Sequence, residues 1–241
     1  MCISVVIPVY EDPGPLEFLL EQLSGTSVDE VVVVEAGHEN ESAIIAERAG
    51  ARWIRSAPGR GIQMNRGAQT SRGNILWFLH ADTILLPQSD RAIRQAMTDP
   101  AIQGGAFAFR LNHRHWFAPI MDVAENLRTR LLDLPYGDQA FFVRRCAFEA
   151  SGGFSEIPIM EDVEFIERFR KDHRCLWLDT PVGINARRWE REGFVKITMR
   201  NLGLLAAYRL GVSPDVLRSY YRPSSMLEES VLLEDRVGRG S

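Results

Sequence analysis

A chain of 241 residues, 45% hydrophobic and 25% charged, is long enough to bury a sizeable core and fits one α/β domain. Its formal charge of −4 offers no basic excess for nucleic acid, so no nucleic-acid partner is expected. Cys2, Cys146 and Cys175 lack C-x-x-C spacing and suggest neither a zinc site nor a disulfide framework, which favours a reducing, cytoplasmic compartment. The run Ile3–Tyr10 is β-branched and predicts a first strand that stops at Pro8. The acidic Glu11-Asp12 interrupts this apolar start, so no signal peptide is read. Gly14 to Gln22 predicts a helix, Val31–Val34 a second strand ending in Glu35, and Arg52–Ile54 a short third strand. Helices are expected at 41–49 and 61–71. No apolar run approaches the roughly 18–20 residues that cross a bilayer.

The fourth strand is the most informative stretch. Leu76-Trp77-Phe78-Leu79 is continuously apolar, as in a buried parallel strand covered on both faces, and it ends abruptly in His80-Ala81-Asp82. A carboxylate just past the C-terminal end of such a strand stands where open α/β sheets bind ligands. Carboxylate oxygen suits Mg²⁺ or Mn²⁺, ions that commonly carry substrate phosphates.

From Gln103 the pattern becomes irregular. Gly104–Phe109 predicts a strand. His115–Leu132 predicts a long amphipathic helix on Trp116, Ile120, Val123, Leu127 and Leu131. Tyr136–Gln139 reads as a turn into a short strand at 140–143. Asp162–Lys171 predicts a helix, Cys175–Leu178 a strand and Val195–Leu210 a further helix. The alternation of strands and helices predicts a mostly parallel, doubly wound sheet with helices on both faces. Residues 1–222 are expected to form one domain, 1–100 on the nucleotide side and 101–222 on the acceptor side, followed by a loosely ordered tail at 223–241.

Several motifs together resemble family 2 glycosyltransferases of the GT-A fold. Ser4–Asp12 is similar to the family's S-V-I-I-P-V-x-N-E start, and Val33–His38 to V-V-D-x-G-S. Gly59–Ala68 resembles G-R-x-x-Q-M-N-x-G-A, His80-Ala81-Asp82 stands at the D-x-D motif, and Met160-Glu161-Asp162 matches the E-D motif. The L-H-A-D-T and R-R-W-E-R patterns resemble a bacterial subgroup named for arsenosugar biosynthesis. The likeness runs from about Cys2 to Tyr221.

The resemblance implies roles residue by residue. Pro8, Val9, Tyr10 and Asp12 would surround the base and ribose. Glu35 would accept from the base or ribose where the family has Asp. Arg60 would meet phosphate at a glycine-flanked helix start, whose backbone N–H groups favour anions, with Gln63, Met64 and Asn65 in the base and diphosphate region. Asp82 would ligate Mn²⁺ or Mg²⁺, with Ala81 beside it. His80 would either ligate or hydrogen-bond ribose or phosphate. Asp162 would be the general base of an inverting transfer. Glu161 would cap the helix or position the acceptor. Asp138 and Gln139 would hold acceptor or donor sugar, and Arg187 and Arg188 would form a flap near the diphosphate.

Each motif also has a plainer reading. Glu161-Asp162 could only cap a helix, Met64 could be core, and Arg187–Arg191 could be a solvated patch. The basic, aromatic stretches around 200–222 fit packing on the domain, a dimer seam or peripheral contact with the inner membrane surface.

The expected activity is transfer of a sugar from a nucleoside diphosphate sugar, UDP- rather than GDP-linked, to an unidentified acceptor hydroxyl. Two alternatives remain at this point. A nucleotidyltransferase that makes nucleotide sugars would carry a glycine-rich loop after the first strand, where this chain has Pro8–Pro13. A non-catalytic nucleotide-sugar binding module would not need both Asp82 and Asp162.

Overall fold

The structure, a computed structural model, describes residues 1–10, 13–37, 40–113 and 115–221, without the side chain of Arg188. Glu11, Asp12, His38 and the expected tail at 223–241 lie outside the described residues. The chain divides into two compact units, one of residues 1–156 and 161–186, the other of 157–160 and 187–241.

The first unit is built on a mixed sheet. Its strands are β1 (Ile3–Val9), β2 (Glu30–Glu35), β3 (Arg52–Arg55), β4 (Ile75–Phe78), β5 (Thr83–Ile84), β6 (Ile102–Asn112), β7 (Phe142–Arg144) and β8 (Arg174–Asn185). Among the described residues their order is β3-β2-β1-β4-β7-β6-β8-β5. The β3-β2-β1-β4 half is parallel, as expected, and β7 enters antiparallel between β4 and β6. Helices α1 (Gly14–Ser24), α2 (Glu41–Arg48), α3 (Arg60–Thr70) and α4 (Ser89–Ala96) alternate with the early strands. Val5, Val6, Ile7, Val32, Val33, Leu76 and Trp77 are fully buried, because central parallel strands are covered on both faces.

Pro8 does not end β1 but lies within it, paired in register with Val34. The reason is local. The even-numbered residues of β1 face β4, since the Val6 carbonyl accepts from Leu79 N at 3.0 Å. The pairing of β1 with β4 stops at Val6–Phe78. The missing N–H of Pro8 therefore points where β4 has already left the sheet, and no ladder bond is lost. β1 and β4 diverge there, which opens the crevice expected at a topological switch point.

From Phe78 the chain crosses the ends of the neighbouring strands, so that Thr83 pairs with Ile184 of β8. A two-residue strand leaves no periodicity to read in the sequence. β8 is also longer than the expected 175–178. Asp179, Thr180, Pro181 and Gly183 carry turn-like chemistry, yet Pro181 pairs with Ala108 after a register shift in the ladder.

The edge of β6 beyond β7 is sealed by side chains. Of β6, among the described residues, Gly104 and Gly105 alone pair with β7. Past them, the Phe107 carbonyl accepts from Gln139 Nε2 at 3.0 Å. Asn126 of α5 (Ala118–Leu132) pairs with both the N–H and the carbonyl of Phe109 at 2.8 Å, and Asp122 accepts from Leu111 N at 2.7 Å. These amides and carboxylates replace a strand partner and satisfy groups that an open edge would expose.

This use of α5 corrects the expectation for its apolar face. The helix starts at Ala118 rather than His115 and buries Ala118, Met121 and Thr129, while Ile120, Val123, Leu127 and Leu131, with Trp116 in the preceding turn, are exposed. Its polar positions face the protein because they have backbone partners there.

Helix α6 (Arg145–Ala150) follows β7, and α7 (Glu161–Asp172) packs through a cluster of rings. Phe165 lies 4.5 Å from Phe154, 5.4 Å from Phe148 and 5.6 Å from Phe141, centroid to centroid. The second unit contains α8 (Arg187–Glu192), α9 (Phe194–Arg209) and α10 (Pro214–Tyr220), with Arg200 bonded to Glu192 at 2.6 Å. Among the described residues no helix is long and apolar enough to cross a membrane.

Candidate functional site

The crevice at the β1–β4 switch point collects charged residues from four elements of the first unit. His80 and Asp82 come from the segment leaving β4. Arg60 starts α3, Glu161 and Asp162 start α7, and Asp138 sits in a 3-10 turn, Gly137–Gln139.

Helix α3 explains most of the Gly59–Ala68 motif as scaffolding. A Cβ on Gly67 would lie 2.3 Å from Val6 Cγ1, so only glycine lets the helix approach β1 this closely. Gln63 Nε2 donates to the carbonyls of Val9 at 2.7 Å and Val34 at 2.8 Å, tying the helix to both strand ends. Met64 is buried, and Asn65 exchanges hydrogen bonds with the backbone of Phe154 at 2.8 and 2.9 Å. These three side chains, expected around the base and diphosphate, face protein partners. These contacts fix the position of the helix whose first residue is Arg60.

The guanidinium of Arg60 donates through Nε to the buried carboxylate of Glu161. This pair joins the start of α3 to the start of α7. Burial pushes the Glu161 carboxyl up, against the pull of Arg60. Neighbouring Asp162 has a different setting. Its Oδ2 accepts from Gly137 N at 2.7 Å and its Oδ1 from Val163 N at 2.8 Å. One carboxylate thus caps α7 and fastens the Asp138 turn, while each oxygen keeps a lone pair.

The turn is held from α5 as well. Gln139 is fully buried, and its Oε1 accepts from Thr129 Oγ1 and Tyr136 N, each at 3.0 Å. Arg128 stacks over the Tyr136 ring, 3.5 Å from its centroid. Gln139 is therefore a structural clamp for the residue before it.

Asp138 is half-buried, but its Oδ1 is fully enclosed and has no hydrogen-bond partner. Burial, then the carboxylates of Glu125, Asp162 and Asp82, push its carboxyl up to about 7, with Arg128 opposing. An orphaned buried oxygen among other carboxylates is costly for folding and marks a site built for something else to satisfy. The sequence marks Asp138 only as a sugar or acceptor contact. Arg128 and Thr129, which hold the turn from α5, carry no sequence signal that sets them apart from a solvated helix face.

Asp138→Asn tests this electrostatic cost. The folded carboxyl keeps its proton to about pH 7 while the unfolded one loses it near pH 4, so stability falls as pH rises through that window. In chelator-containing buffer at pH 8 the variant should melt about 2–4 °C higher, for a gain on the order of 1 kcal/mol. At pH 4 the difference should vanish. A variant that is less stable at both pH values would overturn this reading.

His80 is half-buried, and burial with the nearby Arg60 pulls its pKa down to about 3, so the imidazole is neutral throughout the physiological range. Its carbonyl accepts from Thr83 N at 3.1 Å, which turns the chain and carries Ala81 and Asp82 across the crevice. At the far end, Glu35 is buried and accepts from Gly37 N, and the Val9 carbonyl accepts from Ala36 N at 3.1 Å. Tyr10 is exposed. Arg187 and Arg188 belong to the second unit.

Residues 4–151 match the family described as glycosyl transferase family 2. A 115-residue stretch is 34% identical to an uncharacterized protein of Mycobacterium tuberculosis, covering 45% of this chain and 36% of that protein. The chain thus spans about a third of the length of the curated relative it matches. A mannosyltransferase from Pyrobaculum calidifontis, solved with GDP-Man and Mn²⁺, superposes with a TM-score of 0.66 at 17% identity. That likeness covers 88% of this chain and 66% of the other. Glucosyl-3-phosphoglycerate synthase from M. tuberculosis, solved with Mn²⁺, UDP and glucosyl-3-phosphoglycerate, gives 0.55 at 20% identity, covering 76% and 70%. At these identities the structural likenesses establish the fold, which is GT-A.

Proposed function

Because the chain belongs to glycosyl transferase family 2, we propose that it is an inverting glycosyltransferase that moves a sugar from a nucleoside diphosphate sugar to an acceptor hydroxyl. The observation that carries this reading is the meeting of Asp82, Asp138 and Asp162 at the switch-point crevice, with one buried carboxylate oxygen left unbonded. The L-H-A-D-T and R-R-W-E-R runs support the arsenosugar-biosynthesis-type subgroup. UDP is the favoured carrier.

In this reading the base and ribose lie across the ends of β1 and β2, beside Pro8, Val9, Tyr10 and Glu35. The diphosphate lies toward α3 and Asp82. Among the described residues no three His, Cys, Asp or Glu side chains form a metal cage. A single carboxylate still fits Mg²⁺ or Mn²⁺, which take one or two carboxylates and complete their shell with substrate phosphates and water. Asp82 would hold such an ion, which would supply positive charge against the leaving diphosphate.

Neutral His80 donates or accepts a hydrogen bond at ribose or phosphate. Asp138 Oδ1 accepts a sugar or acceptor hydroxyl. Asp162 takes the acceptor proton while the acceptor oxygen bonds to the anomeric carbon and the bond to the diphosphate breaks on the opposite face. The nucleoside diphosphate leaves with the electron pair.

Donor binding tests the metal side of this reading. Calorimetric titration of UDP should show at least about tenfold tighter binding with Mn²⁺ than with chelator, roughly 1.4 kcal/mol. Asp82→Ala should lose that enhancement while keeping the weaker, metal-free affinity. Equal enhancement in the variant would remove Asp82 from the metal site.

A further inference from the structure

Helix α5 and the turn that leads into it carry a row of apolar side chains that the described residues leave uncovered. Trp116, Ile120, Val123, Leu127 and Leu131 are between 50% and 74% exposed. Together they present on the order of 500 Å² of apolar surface, at the upper end for a single patch on a monomer. Exposed Pro119 and Leu132 extend it at either end. A standard protein interface takes about 800 Å² from each partner, so this face supplies most of one.

The spacing points to the kind of partner. From Ile120 to Leu131 the steps are three, four and four residues, a narrow seam of the sort that packs against another helix, and Trp116 extends it from the turn before α5. The charge balance permits a self-contact. No acidic side chain lies on the seam, and the flanking Arg130 is already paired with Asp179 of its own chain. A lipid surface fits less well. At one end of the seam Arg130 is paired with Asp179, and Arg170 donates to the Asp133 carbonyl beside the Asp133 carboxylate, so the charges there balance and nothing draws anionic headgroups.

We propose that α5 is the core of a two-fold symmetric homodimer, in which the Trp116–Leu131 seam of one copy packs antiparallel on the same seam of a second copy. A two-fold axis near Val123 and Ala124 brings Trp116 opposite Leu131 and Ile120 opposite Leu127 of the mate. The contact is isologous, so it closes at two copies. The inward side of α5 meanwhile carries Arg128 and Thr129, which hold the Asp138 turn. Pairing on the outer side braces that platform.

Sedimentation velocity on the full chain tests this. The wild type should be a dimer at micromolar concentration, and Leu127→Glu should weaken association at least about tenfold. The thermal melt of the dissociated chain should not change, because the side chain is already half in water. In a Cys146→Ser background, Val123→Cys should cross-link two chains under mild oxidation, since it lies at the axis. Leu131→Cys, whose counterpart is Trp116, should not.

A wild type that stays monomeric at about 100 µM would overturn the proposal. So would a dimer that survives Leu127→Glu, or cross-linking through Leu131→Cys but not Val123→Cys. Flotation of a monomer with phosphatidylglycerol vesicles, lost in Leu127→Glu, would assign the face to lipid instead. A monomer whose Leu127→Cys thiol reacts only after residues 222–241 are removed would assign it to the chain's own C-terminal segment.

Discussion

Asp162→Asn is expected to lower sugar transfer by about 10²–10⁴-fold, the usual scale for loss of a general base, while donor affinity changes little. The amide keeps the size of the side chain but cannot take a proton. It also carries a structural cost. Both carboxylate oxygens accept backbone N–H groups, from Gly137 and Val163, so either orientation of the amide sets its NH₂ against one of those donors. That clash should cost roughly 1–3 kcal/mol of stability, much less if water reaches the Val163 N–H at the first turn of α7. A binding assay with UDP and Mn²⁺ must therefore accompany the rate measurement. Retained donor binding with lost transfer identifies the base. The competing carboxylate is Asp138, whose Oδ1 has no partner. If Asp162→Asn transfers sugar at near wild-type rate and Asp138→Asn does not, the proton goes to Asp138 and the assignment of Asp162 fails. Glu161 is not a competitor, because it is buried and held by Arg60.

Arg60→Ala should be the more damaging half of a second pair. Glu161 is 1% exposed and the Arg60 side chain 35%, so removing the arginine strands a carboxylate that cannot reach water. The expected loss is about 3 kcal/mol, the low end for a broken buried pair because the partner is partly solvated. Glu161→Gln should cost less, since Arg60 can turn its charge toward solvent and the amide oxygen can still accept. The loss from Arg60→Ala should be smaller at pH 5 than at pH 8. Burial already raises the Glu161 carboxyl, and without Arg60 it rises further, so at low pH a proton replaces the missing charge. Urea denaturation at the two pH values reads this directly. Equal losses at both would show that the guanidinium does not compensate Glu161. The same variant should bind UDP more weakly while uridine binding changes less, if Arg60 also serves the diphosphate.

The parallel half of the fold was legible from residue types alone. Continuous apolar runs at Val31–Val34 and Leu76–Leu79, each followed by a carboxylate, state both the strand and the end at which the chemistry sits, because burial on two faces leaves no alternation and the ligand end is polar. The Gly59–Ala68 motif was legible as a motif but not as a division of labour. Gln63, Met64 and Asn65 are expected at the base and diphosphate; a polar side chain near a strand end can serve a ligand or a backbone carbonyl, and the structure adds the backbone partners of Gln63 at Val9 and Val34 and of Asn65 at Phe154.

By itself, then, the chain's order of residues determined the α/β class and the presence of Asp82, Glu161 and Asp162 at element ends, since these follow from local periodicity and termini; the crevice itself comes from the strand order, in which β4 leaves β1 after Phe78. Tertiary structure decided what depends on residues far apart in sequence. Pro8 sits inside β1 because β4 has already departed. Two-residue β5 exists because β8 is there to pair with it. Asp138 keeps an unbonded oxygen because Gln139, Thr129 and Tyr136 fix its turn. Helix α5 turns its polar positions inward because the edge of β6 beyond Gly105 needs hydrogen-bond partners, and that demand leaves its apolar seam facing out.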